Sequence, residues 1–328
     1  MRIAYHYGAI APGGVERRLG DLYRELTRRG DDVWIVALRF DPGGKEMLCG
    51  QGGVPEDRIL LAPPGTPFNK DFHLWSRATL EKLSPDIIDA QWCANPMKYP
   101  SKAVATIHGA IPLPVPNLFG GILFVSKAIL VSMEGQLGPV RAVENWVDLE
   151  AHPFNEDLPE GGVCFLGREC KTENADAIAS EWTGEIDCYA ETWDGEHPPN
   201  MVYQGHGDPR EVFPRYRVCF TSGLAAMESI AAGRLTIMGR SNLHNRGDFR
   251  LVTPERIAGM AKGRFAERGT LHHVGAPTKK RRKEEFARAL EAGNYLEERR
   301  AMRAYLAEHH DATTQIGLVR DFYEEVLG

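Results

Sequence analysis

No two of the six cysteines form a CxxC pair; they stand apart at positions 49, 93, 164, 170, 188 and 219. That spacing excludes a zinc ribbon and gives no sign of a disulfide framework. Cys164, Cys188 and Cys219 lie in strand-like apolar runs and read as small core residues, which points to a reducing, cytoplasmic setting. Long apolar runs are missing too, since none approaches the roughly 20 residues that a bilayer-crossing helix needs. The chain opens on a strand-like segment, RIAYHY, and no secretory leader is expected. There is no repeat of short period and no low-complexity tract. A GxGxxG dinucleotide fingerprint is also absent.

What remains is a chain of 328 residues, 43% hydrophobic and 26% charged, which suggests two domains, each able to bury a core. The net charge of −6 is unevenly spread. Residues 1–150 balance 16 basic against 17 acidic residues, residues 151–255 hold 9 against 17, and residues 256–303 hold 13 against 6. The last segment contains the run Lys279, Lys280, Arg281, Arg282, Lys283. This basic island reads first as a solvated helix face. The alternative is contact with an anionic partner, either membrane phosphate or nucleic acid.

Strand and helix alternate through both halves. RIAYHY hands over through Gly13-Gly14 to a helix from about Val15 to Gly30, with Val15, Leu19, Leu22 and Leu26 inside and Arg17, Arg18, Arg24 and Arg28 outside. VWIVAL (33–38) completes a βαβ unit whose glycine pair is either a tight loop or an anion site. Further strands are expected at ILLA (59–62), Asp86–Ala90, Lys102–Ile107, GILFVS (121–126) and VRAVENWV (140–147), with a helix over Asp71–Leu83. Gln91, Trp92 and His108 fall at the C-terminal strand edge. The alternation implies doubly wound parallel sheets, whose ligands bind beyond that edge.

Asp148–Gly162, acidic and containing Pro and Gly, reads as a linker. A second α/β half follows, opening on VCFLG (163–167) and a loop that carries Arg168 and Lys171. These two cations are either surface charge or a clamp for a diphosphate. IDCYAE and NMVYQG are strands, and Pro209–Arg215 is a short helix. Arg217–Arg240 then reads as strand, Thr221-Ser222-Gly223 turn, helix from Leu224 to Ala232, and strand, with Ser222 as a candidate N-cap. Glu228 is the one acidic residue in this apolar unit and needs a partner, either a neighbouring Arg or a polyol ligand at the helix N-terminus. Helices near 254–267, 281–309 and 313–327 close the chain.

Several of these segments, in this order, resemble the GT-B glycosyltransferases, specifically the nucleotide-sugar-dependent family with glycosyltransferase 4-like domains. They are APGGVERRLGDLYRELTRRGDDVWIVAL, TIHG (106–109), ILFVSKAI, VENWVDLEAHPF, FLGREC-K and SGLAAMESIAAGR. The resemblance implies an α/β GT-B fold, two Rossmann-like doubly wound parallel-sheet domains facing a central cleft. Residues 1–148 would be the acceptor-binding domain, 149–162 the linker and 163–309 the nucleotide-sugar-binding domain. Residues 310–328 would form a helix packing back toward the N-terminal domain.

It further implies transfer of a sugar from a nucleoside-diphosphate sugar, a UDP-sugar, to an acceptor hydroxyl with retention, without a cofactor or an essential metal. His108, Arg168 and Lys171 would serve catalysis. Gly13, Gly14, Arg168, Lys171, Ser222, Gly223, Leu224 and Glu228 would hold the donor, with Glu228 on the ribose. Gln91, Trp92 and Arg17 would meet the acceptor, a glycan or glycolipid, and the enzyme would be cytoplasmic or peripheral to a membrane. Two departures stand out: Phe220 occupies the position of a second glutamate that the family places beside the sugar, and Trp146 replaces a hinge glycine. Competing expectations are a virus-type DNA glycosyltransferase acting on a hydroxymethylated base, a nucleotide-sugar epimerase, and a nucleotide-binding protein without catalysis.

Overall fold

A computed structural model describes residues 1–91, 99, 102–108, 119–125, 139–167, 169–171, 178–179, 182, 184–194, 196, 198–238, 250–262, 284, 287 and 295–328. The chain divides into two compact units. One comprises Met1–Asn145 with Thr313–Gly328, and the other comprises Trp146–Ala312. The crossing at Asn145/Trp146 precedes the acidic 148–162 stretch, which is part of the second unit.

The first unit is built on β1 (Arg2–Ile10), α1 (Gly14–Arg28), β2 (Asp32–Phe40), β3 (Ile59–Leu61), α2 (Lys70–Leu83), β4 (Ile87–Gln91), β5 (Lys102–Ile107), β6 (Gly121–Phe124) and β7 (Val140–Ala142). Its seven strands are all parallel, in the order β3-β2-β1-β4-β5-β6-β7. β1 and β4 are neighbours, so strand order reverses there. The loops after these two strands lie at a topological switch point, where open α/β sheets bind ligands. The β7 strand is shorter than VRAVENWV suggested, ending at Ala142. The glycine-rich stretch after β2 holds a π-helical turn, Glu46–Gln51. α2 starts at Asn69, whose side chain accepts from the Asp71 amide, and stops at Ser84 in a left-handed conformation just before Pro85.

The second unit holds β8 (Val163–Leu166), β9 (Glu169–Lys171), β10 (Ile186–Tyr189), β11 (Thr192–Asp194), β12 (Met201–Gly205), α3 (Pro209–Val212), β13 (Val218–Thr221), α4 (Leu224–Ala231), β14 (Leu235–Met238), β15 (Arg250–Leu251), α5 (Pro254–Lys262) and α6 (Leu296–His309). Six strands form the order β12-β10-β8-β13-β14-β15, parallel except for the β14–β15 pair. The reversal falls between β8 and β13. Phe220 is fully buried in β13, in register with Phe165 of β8, among Val163, Ile186 and Ile237. The segment after β8 is not a simple loop. Glu169–Lys171 forms β9, which pairs in parallel with β11, just as β8 pairs with β10.

Three arginines tie the second unit together. Arg299 is fully buried and donates to the carbonyls of Asn155, Glu156 and Gly233. Arg303 donates to Leu149, His152 and Ala231, and Arg234 to Asn155 and Ala232. The carbonyls at 231–233 close α4, so these cations sit where the helix leaves acceptors unpaired and where its dipole is negative. The same guanidinium groups fasten residues 149–156 to that helix end.

The last helix, α7 (Ala312–Leu327), completes the first unit. Ile316, Val319, Phe322 and Tyr323 are buried, as the 3.6-residue spacing requires. Gly121 at the start of β6 makes this approach possible, because a Cβ there would lie 2.8 Å from Phe322 and Val326. Arg320 pairs with buried Asp31 at 2.8 Å, and Arg141 pairs with Glu325 at 2.6 Å.

Candidate functional site

In the first unit, the handover from β1 to α1 is shaped by a carboxylate. Glu16 is buried, and its Oε1 accepts from the Tyr7 hydroxyl and from the Ala11 amide, each at 3.0 Å. Gly13 is the N-cap of α1 with extended backbone and no side-chain cap. A Cβ on Gly13 would come within 2.9 Å of Glu16 Oε2, so the glycine is needed for space. Gly14 is exposed and Arg17 half-buried, its amide donating to the Gly13 carbonyl. The first amides of α1 thus lie at the switch point, where an anion would meet them.

His108 directly follows β5, and its Nε2 lies 2.6 Å from Gln91 Oε1 at the end of β4. Gln91 is only 1% exposed, so it reaches the strand edge through His108 rather than by itself. Behind Gln91 lies Asp89, on the same face of β4 and likewise buried. Thr106 Oγ1 donates to it at 2.6 Å, the Tyr323 hydroxyl donates to its other oxygen, and the Tyr5 hydroxyl is 3.3 Å from that of Tyr323. Burial raises the Asp89 pKa to about 6, against the opposing pull of Thr106, Tyr323, Arg18 and Gln91. Arg18 is buried rather than outside. Burial lowers its pKa to about 10, which Asp89 and the two tyrosines oppose.

In the second unit, α4 begins at the switch point. The residue heading it is Gly223, not Ser222, with φ 62° and ψ −135° and no side-chain cap. That conformation suits glycine, and a Cβ there would meet nothing within 4 Å. Ser222 and Leu224 are half-buried beside it. Thr221, 4% exposed, carries a hydroxyl with no hydrogen-bond partner among the described residues. Glu228 is 6% exposed, and its Oε1 lies 3.8 Å from His152 Nε2, so the neighbour that the sequence demanded is a histidine from the 148–156 segment. Arg210 of α3 is a further cation here. Asp208 raises its pKa first, and Glu228 adds to that.

Lys171 is the last residue of β9, opposite Asp194. Trp92, Arg168 and the 279–283 run lie outside the described residues. Sequence reasoning missed Asp89, Glu16 and His152. Asp89 carried the same signal as Glu228, a lone carboxylate in an apolar run. Among the described residues, no group of three or more His, Cys, Asp or Glu side chains could hold a metal ion. No helix formed by those residues is long and apolar enough to cross a membrane.

Two Rossmann-like units with these switch points define the GT-B class. Solved structures with this fold align along nearly the whole chain. A glycosyltransferase from Rickettsia africae ESF-5 is 12% identical, with 98% of each chain covered and a TM-score of 0.64. Anabaena Alr3699/HepE, solved with UDP and glucose, is 10% identical, with 99% of each chain covered and a TM-score of 0.67. The UDP-GlcNAc 2-epimerase of Methanocaldococcus jannaschii is 11% identical, covering 98% of this chain and 99% of its own, with a TM-score of 0.60. At such identities the likeness is one of fold. Residues 12–151 match the family model of Glycosyltransferase Family 4. The chain has the GT-B fold, and the stretch similar to Glycosyltransferase Family 4 spans most of its first unit. No curated protein matches its sequence.

Proposed function

We propose that this protein transfers a sugar from a nucleoside-diphosphate sugar, a UDP-sugar, to the hydroxyl of a glycan or glycolipid, with retention of anomeric configuration. The observation that carries the reading is the head of α4. A glycine in a backbone conformation reserved for glycine, the first-turn N–H groups of a helix start, a buried Thr221 hydroxyl without a hydrogen-bond partner among the described residues and the Glu228 carboxylate one turn later lie together at a switch point. Amides suit a diphosphate, and a carboxylate suits the two hydroxyls of a ribose.

In the reaction, the bond between the anomeric carbon and the diphosphate oxygen breaks, and its electron pair leaves with the diphosphate. The acceptor oxygen bonds to the same face of that carbon, and its proton passes to the departing phosphate oxygen. Arg168 and Lys171, with the α4 amides, stabilise the charge growing on the diphosphate, a stabilisation worth most in the transition state. His108 meets a hydroxyl of the sugar or acceptor. No metal is required in this scheme.

The test is a screen of nucleotide sugars against acceptors, read by mass spectrometry, with Glu228→Ala as control. A transferred sugar, together with weakened donor binding in Glu228→Ala, supports the reading. Wild-type donor affinity in that variant removes Glu228 from the ribose. Epimerised nucleotide sugar without acceptor, or saturable binding without turnover, would replace the transferase reading. Transfer to hydroxymethylated duplex DNA would change the acceptor.

A further inference from the structure

The end of the second sheet remote from its switch point carries a cavity. Leu235 opens β14 and is level with Val218, the first residue of β13, so it marks the N-terminal strand edge. β15 runs antiparallel beside β14, and the Val252 amide donates to the Thr236 carbonyl. The first turns of α5 and α6 meet these strands around a space of about 320 Å³. That is the lower end of the range for ligand pockets, about 300–1,000 Å³.

Its floor is apolar. Leu235, Val252 and Met302 are almost fully buried, but Leu235 belongs to one apolar cluster of this unit and Val252 and Met302 to another. The cavity is the gap where the two clusters meet, and half-buried Leu251 lines it as well. Tyr295 is one wall. Its backbone is left-handed, φ 39° and ψ 33°, which is unfavourable for a bulky residue, and its side chain packs on the cluster of Leu235. The rim is acidic. Glu255 and Glu298 are exposed in the first turns of α5 and α6, and Glu284 joins them. The Thr253 side chain and its own backbone hydrogen-bond Glu255 and hold its carboxyl below the ordinary range. Arg256, the cation of the lining, donates through Nη1 to the Leu251 carbonyl at 3.1 Å. Three carboxylates against one guanidinium favour a positive head group, and an aromatic wall suits the same charge.

We infer that this cavity binds a small organic cation, an ammonium group carried on a single ring or a short branched chain. The apolar part would lie on Leu235, Leu251, Val252 and Met302, and the ammonium between Glu255 and Glu298. The inference goes beyond sugar transfer and does not depend on it, since the cavity and the head of α4 lie at opposite strand ends.

Titration calorimetry of the full chain with phenethylamine tests it, with phenylacetate as the anion of like shape. Phenethylamine should saturate one site with a Kd of about 1 mM, as befits so small a probe. Phenylacetate should bind about tenfold more weakly or not at all. Glu298→Lys, at an exposed position, should reverse that preference, and Leu251→Trp, which fills the space from the edge strand, should abolish binding of both probes. Should the tryptophan variant not fold, the charge reversal decides. Equal affinity for the two probes, no saturation by phenethylamine, or an unchanged preference in Glu298→Lys each overturn the inference. Saturating UDP should leave the phenethylamine affinity within about twofold, and full displacement by UDP would move the amine to the other strand end and refute this site.

Discussion

Replacing Gly223 by alanine separates two ways in which a glycine can serve a helix start. At φ 62° and ψ −135°, the backbone lies where L residues are rarely found. The alanine methyl would meet nothing within 4 Å, so the cost is conformational, with no contribution from a clash. Such strain is worth about 1–3 kcal/mol. For a unit of this size each kcal/mol lowers the melting temperature by about 2–4 °C, so a fall of roughly 5 °C is expected if the conformation is kept. The chain can instead relieve the strain by rotating the peptides on either side. The first amides of α4 then lose their common aim, and UDP should bind about 10- to 100-fold more weakly, since every 1.4 kcal/mol is tenfold. Calorimetric melts without ligand and titrations with UDP measure the two outcomes. D-alanine, introduced by semisynthesis, favours positive φ and should behave as wild type in both. Gly14→Ala, exposed and without positive φ, serves as a control for stability alone. If Gly223→Ala melts with wild type and also binds UDP with wild-type affinity, the reasoning about this turn is wrong.

Further outcomes can be checked in the same way. Burial lowers the His6 pKa to about 3, so between there and the ordinary 6.5 the unfolded chain binds the extra proton. Acidification across that window should cost on the order of 4 kcal/mol, and His6→Gln should remove that share of the slope in urea melts. Asp89 has the opposite sign. Its folded pKa of about 6 exceeds the unfolded 3.8, so stability falls by about 3 kcal/mol as pH rises through that interval. Asp89→Asn should flatten this slope. Gly13→Ala should displace the Glu16 carboxylate from the Ala11 amide, seen as faster exchange of that amide. Arg299→Met keeps the length of the side chain but leaves the carbonyls of Asn155, Glu156 and Gly233 without their donor, at about 3 kcal/mol or more in thermal melts.

The periodicity that exposed the fold was strongest where burial is two-sided or striped. β1, β2, β4 and α1 could be read from their apolar spacing because nothing but packing dictates those positions. Glycines and strand ends located the switch points for the same reason. Misreadings fall where a polar side chain is buried by a partner distant in sequence. Arg18 sits at an outward-looking position of the α1 pattern, yet it is drawn inside by Asp89 and two tyrosines, one of them some 300 residues later. Ser222 has the right chemistry for a cap, but the following glycine takes the turn because its positive φ points the amides differently. Residues 169–171 are too few and too polar to announce a strand, and only pairing with Thr192–Asp194 makes them one. Glu228 stood out because everything around it was apolar, and its buried setting beside His152 is the kind of environment that signal predicts.

The return of α7 to the first unit has a consequence for synthesis. The first 145 residues leave the ribosome long before the helix that covers their sheet exists. Until residues 313–328 emerge, Asp89 lacks its Tyr323 donor, and the surfaces later met by Ile316, Val319, Phe322 and Val326 stay open to water. Four such side chains represent about 1.5–3 kcal/mol each, as much as the whole margin of a typical domain. The N-terminal unit should therefore be a client of chaperones until residues 313–328 emerge, and it should lock only then. A premature stop within residues 312–327 would then harm a unit made long before it.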